Sequence, residues 1–258
     1  MKNTKIEKLA NNLVKAFVNN KIISPISLKY TKNMKNAEQL RRLCESKIKQ
    51  PVVGFKAAGT GIPVLKKLGE KEPFYASIFK NNILKSGKSI KVNPYVLGIE
   101  LEVGYLIKKS FFQSKGSINF INIHKYISHM MSAIEVVGYR QKKKGIKFLG
   151  DLCSDFGANV KFVAGKKSKY KKINFGKLKS SIENKKIKQF VSGHSNTVYV
   201  NPLNSLKFVL NKLKKDKIIL DKDFYIFTGS TVGVTPILSK GVYLGKIDKL
   251  GSVKAKII

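Results

Sequence analysis

The run GIELEVGYLI, residues 98–107, sets Glu100 and Glu102 one residue apart inside an otherwise apolar stretch. In a strand, side chains i and i+2 leave by the same face, so both carboxylates lie on one side of a sheet, roughly 7 Å apart along it. Nothing in the run is cationic. Two like charges in apolar surroundings are costly unless a partner neutralises them, and the candidates are lysine, water or a metal ion. A third carboxylate, Glu135 in SAIEVVGYR, is again flanked by Ile134, Val136 and Val137. Three glutamates of this kind, Glu-x-Glu on one strand and one from elsewhere, supply oxygen ligands with room for water and a chelating substrate, which suits octahedral Mg²⁺ or Mn²⁺. The alternative is that each pairs with a lysine at a half-exposed sheet surface. Spacing alone leaves both open.

Working outward, Leu9, Leu13 and Phe17 fall at helical spacing within residues 5–20, and residues 36–48 form a second helical candidate. After these the chain turns to strands. Residues 52–61 read as a short strand running into a glycine-rich turn, and residues 96–107, 133–139 and 159–164 read as further strands. A short helix is predicted over 124–132, where His124, Ile127 and Met131 follow a helical period. Asn201-Pro202 opens a helix over 203–215, with Leu203, Leu206, Leu210 and Leu213 on one face. Strands follow at 224–228, 242–247 and 252–258, and KKSKYKK at 166–172 reads as an exposed basic loop. Helices gathered at the N-terminus and strands thereafter predict an α+β architecture.

The net charge of +36 is the strongest compositional signal, and its obvious reading is nucleic acid or an anionic surface. Yet 48 of the 51 basic residues are lysine; Arg41, Arg42 and Arg140 are the three arginines. Arginine is the residue that two-pronged phosphate and guanine contacts favour. The lysines are dispersed and accompany no helix-turn-helix, zinc-finger or RNP-type pattern, so solvated lysine faces are expected, with no specific nucleic-acid partner. No run approaches the 18 apolar residues of a membrane span, and residues 1–17 carry charges throughout, so neither a membrane partner nor a signal peptide is expected and the location read from the sequence is cytoplasmic. Cys44 and Cys153 have no partner spacing and read as buried or idle thiols.

The motifs, taken in order, resemble the 2-keto-4-pentenoate hydratase family within the fumarylacetoacetase C-terminal-like superfamily. VVGFK, GIELE, AIEVV, DLCSD, NPLNS, TGS at 228–230 and LGSV at 250–253 each match a family segment. The resemblance implies a mixed β-sheet or β-roll core with a helical N-terminal layer, residues 1–50 packing on a catalytic domain of residues 51–258. It assigns Glu100, Glu102 and Glu135 to a divalent metal, Mg²⁺ or Mn²⁺, and makes Lys56 an active-site lysine. Asp151 and Asp155 would orient water or Lys56, or cap the following segment; Thr228, Gly229 and Ser230 would bind the substrate carboxylate. The implied activity is a hydro-lyase of aromatic catabolism: isomerisation of a small 2-hydroxy-2,4-dienoate and addition of water at C4, giving a 4-hydroxy-2-oxo acid, in a homo-oligomer. Decarboxylation, tautomerisation or lost activity are the alternatives, because fold does not select among these outcomes.

Two departures bear on that choice. Where relatives carry Pro-Asp-Phe/Tyr-Gly this chain reads PFYA at 73–76, so Phe74 stands in place of an aspartate. Gly98 stands where relatives carry an arginine, two residues before the first of the glutamates. The expected consequence of Phe74 is a drier cavity that loses hydration before tautomerisation. For Lys56, burial near a metal cation would lower its pKa toward the working range. His124, His129 and His194 lie outside the matched motifs and read as structural or surface residues.

Dispersed lysine charge gives only non-specific association with DNA or RNA. A gel-shift titration is expected to show weak binding without sequence preference, falling steeply between about 50 and 200 mM salt. Tight binding at physiological salt would contradict the reading.

Overall fold

In the computed structural model, which describes residues 4–143 and 145–258, the chain opens with helices α1 (Thr4–Asn19), α2 (Leu28–Thr31) and α3 (Met34–Ser46). The apolar period of α1 turns Ile6, Ala10 and Leu13 inward, against Leu40 and Cys44 of α3. Asn33 starts α3 by accepting hydrogen bonds from the backbone N–H groups of Lys35 and Asn36. Next come β1 (Val52–Ala58), α4 (Ile62–Lys67), β2 (Phe74–Phe79), β3 (Ile83–Lys85), β4 (Ser89–Ile90) and the long pair β5 (Val96–Ile107) and β6 (Ile127–Gly138). The remainder comprises α5 (Leu149–Cys153), β7 (Asn159–Ala164), β8 (Ser168–Lys169), β9 (Lys179–Asn184), β10 (Gln189–His194), α6 (Pro202–Lys215), β11 (Phe224–Ser230), β12 (Gly241–Ile247) and β13 (Gly251–Ile257).

The strands form two sheets. The larger runs β2-β1-β11-β5-β6-β7-β3, with β8 added to β6, and the smaller runs β10-β9-β12-β13-β4. Alternation along β5 divides the molecule. Ile99, Leu101, Val103, Tyr105 and Ile107 enter the main core, where they meet Tyr243, Val253 and Ala255 of the smaller sheet and Leu206, Leu210 and Leu213 of α6. Glu100 and Glu102 leave by the other face, which the larger sheet curls around. Hydrogen bonds from the Asn82 side chain to the Val160 carbonyl and from Lys161 Nζ to the Asn81 carbonyl tie the segment after β2 to β7, five strands away across the sheet, and draw the curl together. Inside it pack Ile78, Ala133, Phe162 and Phe227. The architecture is α+β with a curled mixed sheet.

One element differs in kind from its sequence reading. The helix expected over 124–132 is a single turn, Ile123–Tyr126, after which β6 begins at Ile127. Strand β5 is 12 residues long, and β6 pairs with it from Ile107↔Ile127 to Val96↔Gly138, so ladder hydrogen bonds decide the conformation of a segment whose local period fits either structure. The basic segment 166–172 contributes β8, which pairs with His129 and Met130, and its lysines stay largely exposed. Strands β2, β3, β4, β9 and β10 and the helices α2, α4 and α5 have no counterpart in the sequence reading.

Each arginine holds elements together. Arg41, fully buried, pairs with Glu45 at 2.7 Å beside the Tyr75 ring, and Glu45 in turn accepts from the Ser77 backbone N–H, joining α3 to β2. Arg42 pairs with Asp216 beyond α6. Arg140 packs against the adjoining rings of Phe17 and Phe156, pairs with Asp155 at 3.1 Å and donates to the Asn159 carbonyl, so the helical layer, the end of β6 and the start of β7 meet on one guanidinium. Arg140→Met leaves Asp155 buried and uncompensated. Urea unfolding is expected to show a loss of about 3–5 kcal/mol, whereas a loss below about 1 kcal/mol would mean that the pair holds nothing.

Candidate active site

The antiparallel register of β5 and β6 sets Glu100 directly opposite Glu135 and Glu102 opposite Ala133. Side chains opposite one another in such a pair stand roughly 5 Å apart at Cβ, so the third carboxylate reaches the Glu-x-Glu pair through strand pairing alone. Carboxylate oxygens of Glu100, Glu102 and Glu135 all lie within 4.8 Å of one another; Glu102 and Glu135 are buried and Glu100 is half-buried. From β1, on the same face, Lys56 directs Nζ to Glu135 Oε1 at 2.5 Å and to the Gly157 carbonyl at 3.2 Å. On the other flank the Gly229 N–H donates to Glu102 Oε2 at 2.7 Å. Glu102 Oε1 and Glu135 Oε2 remain buried with no hydrogen-bond partner among the described residues.

This is three carboxylates against one ammonium. Burial, followed by the neighbouring Glu135 charge, pushes Glu100 up to about 7. Glu102 also rises to about 7, through burial and then Glu100, with Lys56 and the Gly229 N–H pulling the other way. Burial likewise holds Glu135 well above the usual carboxylate range despite Lys56. For Lys56, burial pulls its pKa down, but the charges of Glu135, Glu100 and Glu102 outweigh it and hold the ammonium above its ordinary value. The direction is thus upward with the carboxylates alone, opposite to the one expected beside a cation. Two orphaned oxygens and an excess of negative charge at one point are the donor set that a divalent cation fits.

The site opens into a cavity of about 490 Å³ whose lining includes Lys56, Glu100, Thr60, Gly229, Ser230 and Ser192. Of the residues expected to bind substrate, Gly229 and Ser230 line it, while the Thr228 hydroxyl turns away to the Val103 carbonyl. Gly229 sits at φ +106°, and a Cβ there would meet Thr60 Oγ1 at 2.0 Å, so only glycine lets this strand end pass the turn after β1. Asp151 and Asp155 do not join the cluster. Asp151 accepts from the Lys147 and Phe148 N–H groups and pairs with Lys143 at 2.6 Å, which fixes the first turn of α5 and holds its carboxyl below the usual range. Asp155 is bound by the Arg140 backbone N–H and guanidinium. Among the histidines, His124 stacks on Tyr170, and none lines the cavity.

Sequence reasoning missed the wall that the smaller sheet contributes, Ser192 and Gly193 of β10 with Thr197, and the segment Thr231–Val234 after β11. These residues lie about 60 to 140 positions from the glutamates and carry no local pattern. Only the packing of the two sheets brings them in.

No protein-family model matches the chain. By sequence it is similar to 2-keto-4-pentenoate hydratase of Burkholderia vietnamiensis, 23% identical over 206 residues, covering 79% of this chain and 77% of that protein. By structure it is similar to 4-oxalocrotonate decarboxylase from Pseudomonas putida G7, solved with calcium and acetate and with magnesium and adipate. The TM-score is 0.83 for both complexes, at 17% and 18% identity, over 100% of this chain and 99% of that one. Fumarylpyruvate hydrolase from Pseudomonas aeruginosa, solved with Mn²⁺ and pyruvate, matches with a TM-score of 0.58 at 12% identity over 82% of this chain and 92% of that one. The chain therefore has the fumarylacetoacetase-like fold. Its likeness is to enzymes of that group, and in sequence to 2-keto-4-pentenoate hydratase.

Both departures noted in the sequence have a structural answer. Gly98 faces Val137 across the ladder, and a Cβ on it would meet the Thr235 carbonyl at 2.3 Å and Val234 at 2.8 Å, so the 231–235 segment fills the space of a side chain there. Phe74 does not enter the cavity and so does not dry it. It begins β2, is 2% exposed, and packs with Ala37, Ala58, Leu65, Leu149 and Cys153. Phe74→Asp puts a carboxylate into that cluster. Its cost is expected to be at least the roughly 3–5 kcal/mol of a Phe→Ala truncation, read by urea unfolding, and a stable variant would show that the ring lies outside the core.

Proposed function

We propose that the protein is a divalent-metal-dependent hydro-lyase acting on a small 2-hydroxy-2,4-dienoic acid. The observation that carries this reading is the meeting of Glu100, Glu102 and Glu135, two of them with orphaned oxygens, beside Lys56 in a cavity of substrate size. The sequence likeness to a 2-keto-4-pentenoate hydratase supports it. A divalent cation held by these carboxylates, Mg²⁺ or Mn²⁺, supplies Lewis acidity toward the carboxylate and 2-oxo oxygen of such an acid.

The chain's own groups do the rest. Thr60, Gly229 and Ser230 form a polar rim around the acid head. Lys56 Nζ carries protons over the substrate face: the C2 enol hydroxyl gives up its proton while C5 gains one, yielding a 2-oxo-3-enoate. Water then adds its oxygen at C4 and a proton at C3, giving the 4-hydroxy-2-oxo acid. Asp155 acts as a positioning residue, because it holds Arg140 and the turn whose Gly157 carbonyl fixes Lys56. Asp151 positions α5, whose Leu152 lines the cavity.

A second reading, tautomerisation or decarboxylation of a 2-oxo acid, is favoured by the engagement of Asp151 and Asp155 elsewhere, which leaves proton handling to Lys56. Both proceed without an activated water.

An ultraviolet assay on freshly generated 2-hydroxypenta-2,4-dienoate, with products identified by NMR, separates the readings. The expected result is metal-dependent loss of the dienol absorbance with a 4-hydroxy-2-oxo product. A 2-oxo-3-enoate as the end product supports tautomerisation, no conversion with either metal overturns hydration and tautomerisation, and CO2 release from a 2-oxo-enedioic acid under the same conditions tests decarboxylation. Lys56→Met is expected to lower kcat by about 10² to 10⁴ while metal binding is retained. Mn²⁺ at about 100 Kd stabilises the folded chain by about 2.7 kcal/mol, a gain in thermal unfolding that Glu102→Gln and Glu135→Gln are expected to abolish.

A further inference from the structure

The direction in which the cavity extends from the carboxylates is set by strand register. Along β5 and β6 the next pair on the face of Glu100 and Glu135, one two-residue step away from Glu102, is Gly98 opposite Val137. Such a step is about 7 Å, the length of a few carbon–carbon bonds. The wall met there is apolar. Gly98 is covered by Val234, Leu97 and Val137 continue the surface, and Ile146, Leu152 and Val64 of the surrounding loop and helices line the same cavity. The space exceeds what a five-carbon acid requires. Allowing up to about 30 Å³ per heavy atom, the share of one water in the liquid, its eight heavy atoms fill at most about half of the 490 Å³.

We infer that this wall is a tail subsite selecting 2-oxo or 2-hydroxydienoic acids with an uncharged hydrocarbon chain of several carbons beyond the reacting head, and rejecting those that end in a second carboxylate. The inference rests on the proposed placement of the acid head at the glutamates. Its physical basis is separate: apolar surface buried against valine, leucine and isoleucine is favourable in proportion to area, whereas a carboxylate among the same side chains loses its hydration without a compensating partner. The charge of +36 draws dianions toward the protein even more strongly than monoanions, so it cannot reject a second carboxylate. Discrimination therefore falls to the wall. Val234, 48% exposed at the cavity rim, is its most replaceable member.

The test is calorimetric titration of the Mn²⁺-loaded protein with 2-oxobutanoate, 2-oxohexanoate, 2-oxooctanoate and 2-oxoadipate, the last matching 2-oxohexanoate in carbon number but carrying a terminal carboxylate. Affinity is expected to rise about three- to fourfold per added methylene, and 2-oxoadipate to bind at least tenfold more weakly than 2-oxohexanoate. Val234→Arg is expected to narrow or reverse that last ratio. Equal or tighter binding of 2-oxoadipate by the unaltered protein, or affinity independent of chain length, overturns the tail subsite and leaves the head site standing. If none of the four acids binds the Mn²⁺-loaded protein, the head placement has failed and the inference fails with it.

Discussion

Three carboxylates facing one ammonium on the inner surface of a curled sheet is the constraint around which the molecule is arranged. An isolated ion pair could be replaced by well-packed apolar residues at little cost or even with a gain in stability, so its presence in a fold is weak evidence of a structural need. An unbalanced cluster is different, because the surplus negative charge raises the energy of the folded chain. Glu102 and Glu135 keep buried oxygens that no described group satisfies, and Lys56 answers only part of the charge. The surroundings hold this cluster in place. Lys56 is locked by the Gly157 carbonyl, Glu102 by the Gly229 N–H, and the two glutamate strands by a continuous ladder.

The basic residues divide into two kinds of work. The lysines are mostly exposed and keep a strongly charged surface in water, whereas the arginines sit where several donors must be used at once. Arg140 shows why a lysine would not serve there. It meets a carboxylate and backbone carbonyls at once while packing against the rings of Phe17 and Phe156. The turn it anchors carries Gly157, so a buried structural ion pair lies one turn from the lysine of the candidate site.

The same economy appears at Gly98. A side chain there would collide with the Thr235 carbonyl, and the antiparallel bridge between Ile99 and Thr235 holds the segment after β11 alongside the strand. This pairing supplies Val234 to the cavity, which converts the neighbourhood of the glutamates from polar to apolar within one step along β5. Shape and polarity of the cavity thus follow from a backbone approach.

What the sequence determined by itself was whatever short-range period or motif could carry. Residues 96–107 and 159–164 read as strands with the observed bounds, the leucine stripe of 203–215 is α6 without its first residue, and the pairing of Glu100 with Glu102 on one face follows from a period of two. Glu135 was singled out by its apolar flanks. Its position opposite Glu100 depends on the register of two strands separated by 19 residues, and register is set by the whole ladder. Tertiary structure alone decided that residues 127–132, whose local period also fits a helix, continue the strand read at 133–139, and that Phe74 lies in the core. It also turned Asp151 and Asp155 toward Lys143 and Arg140, away from the cavity. Each of those outcomes depends on a partner at least eight and in most cases tens of residues distant or on a neighbouring element, because local spacing fixes which face a side chain leaves by but not what that face will meet.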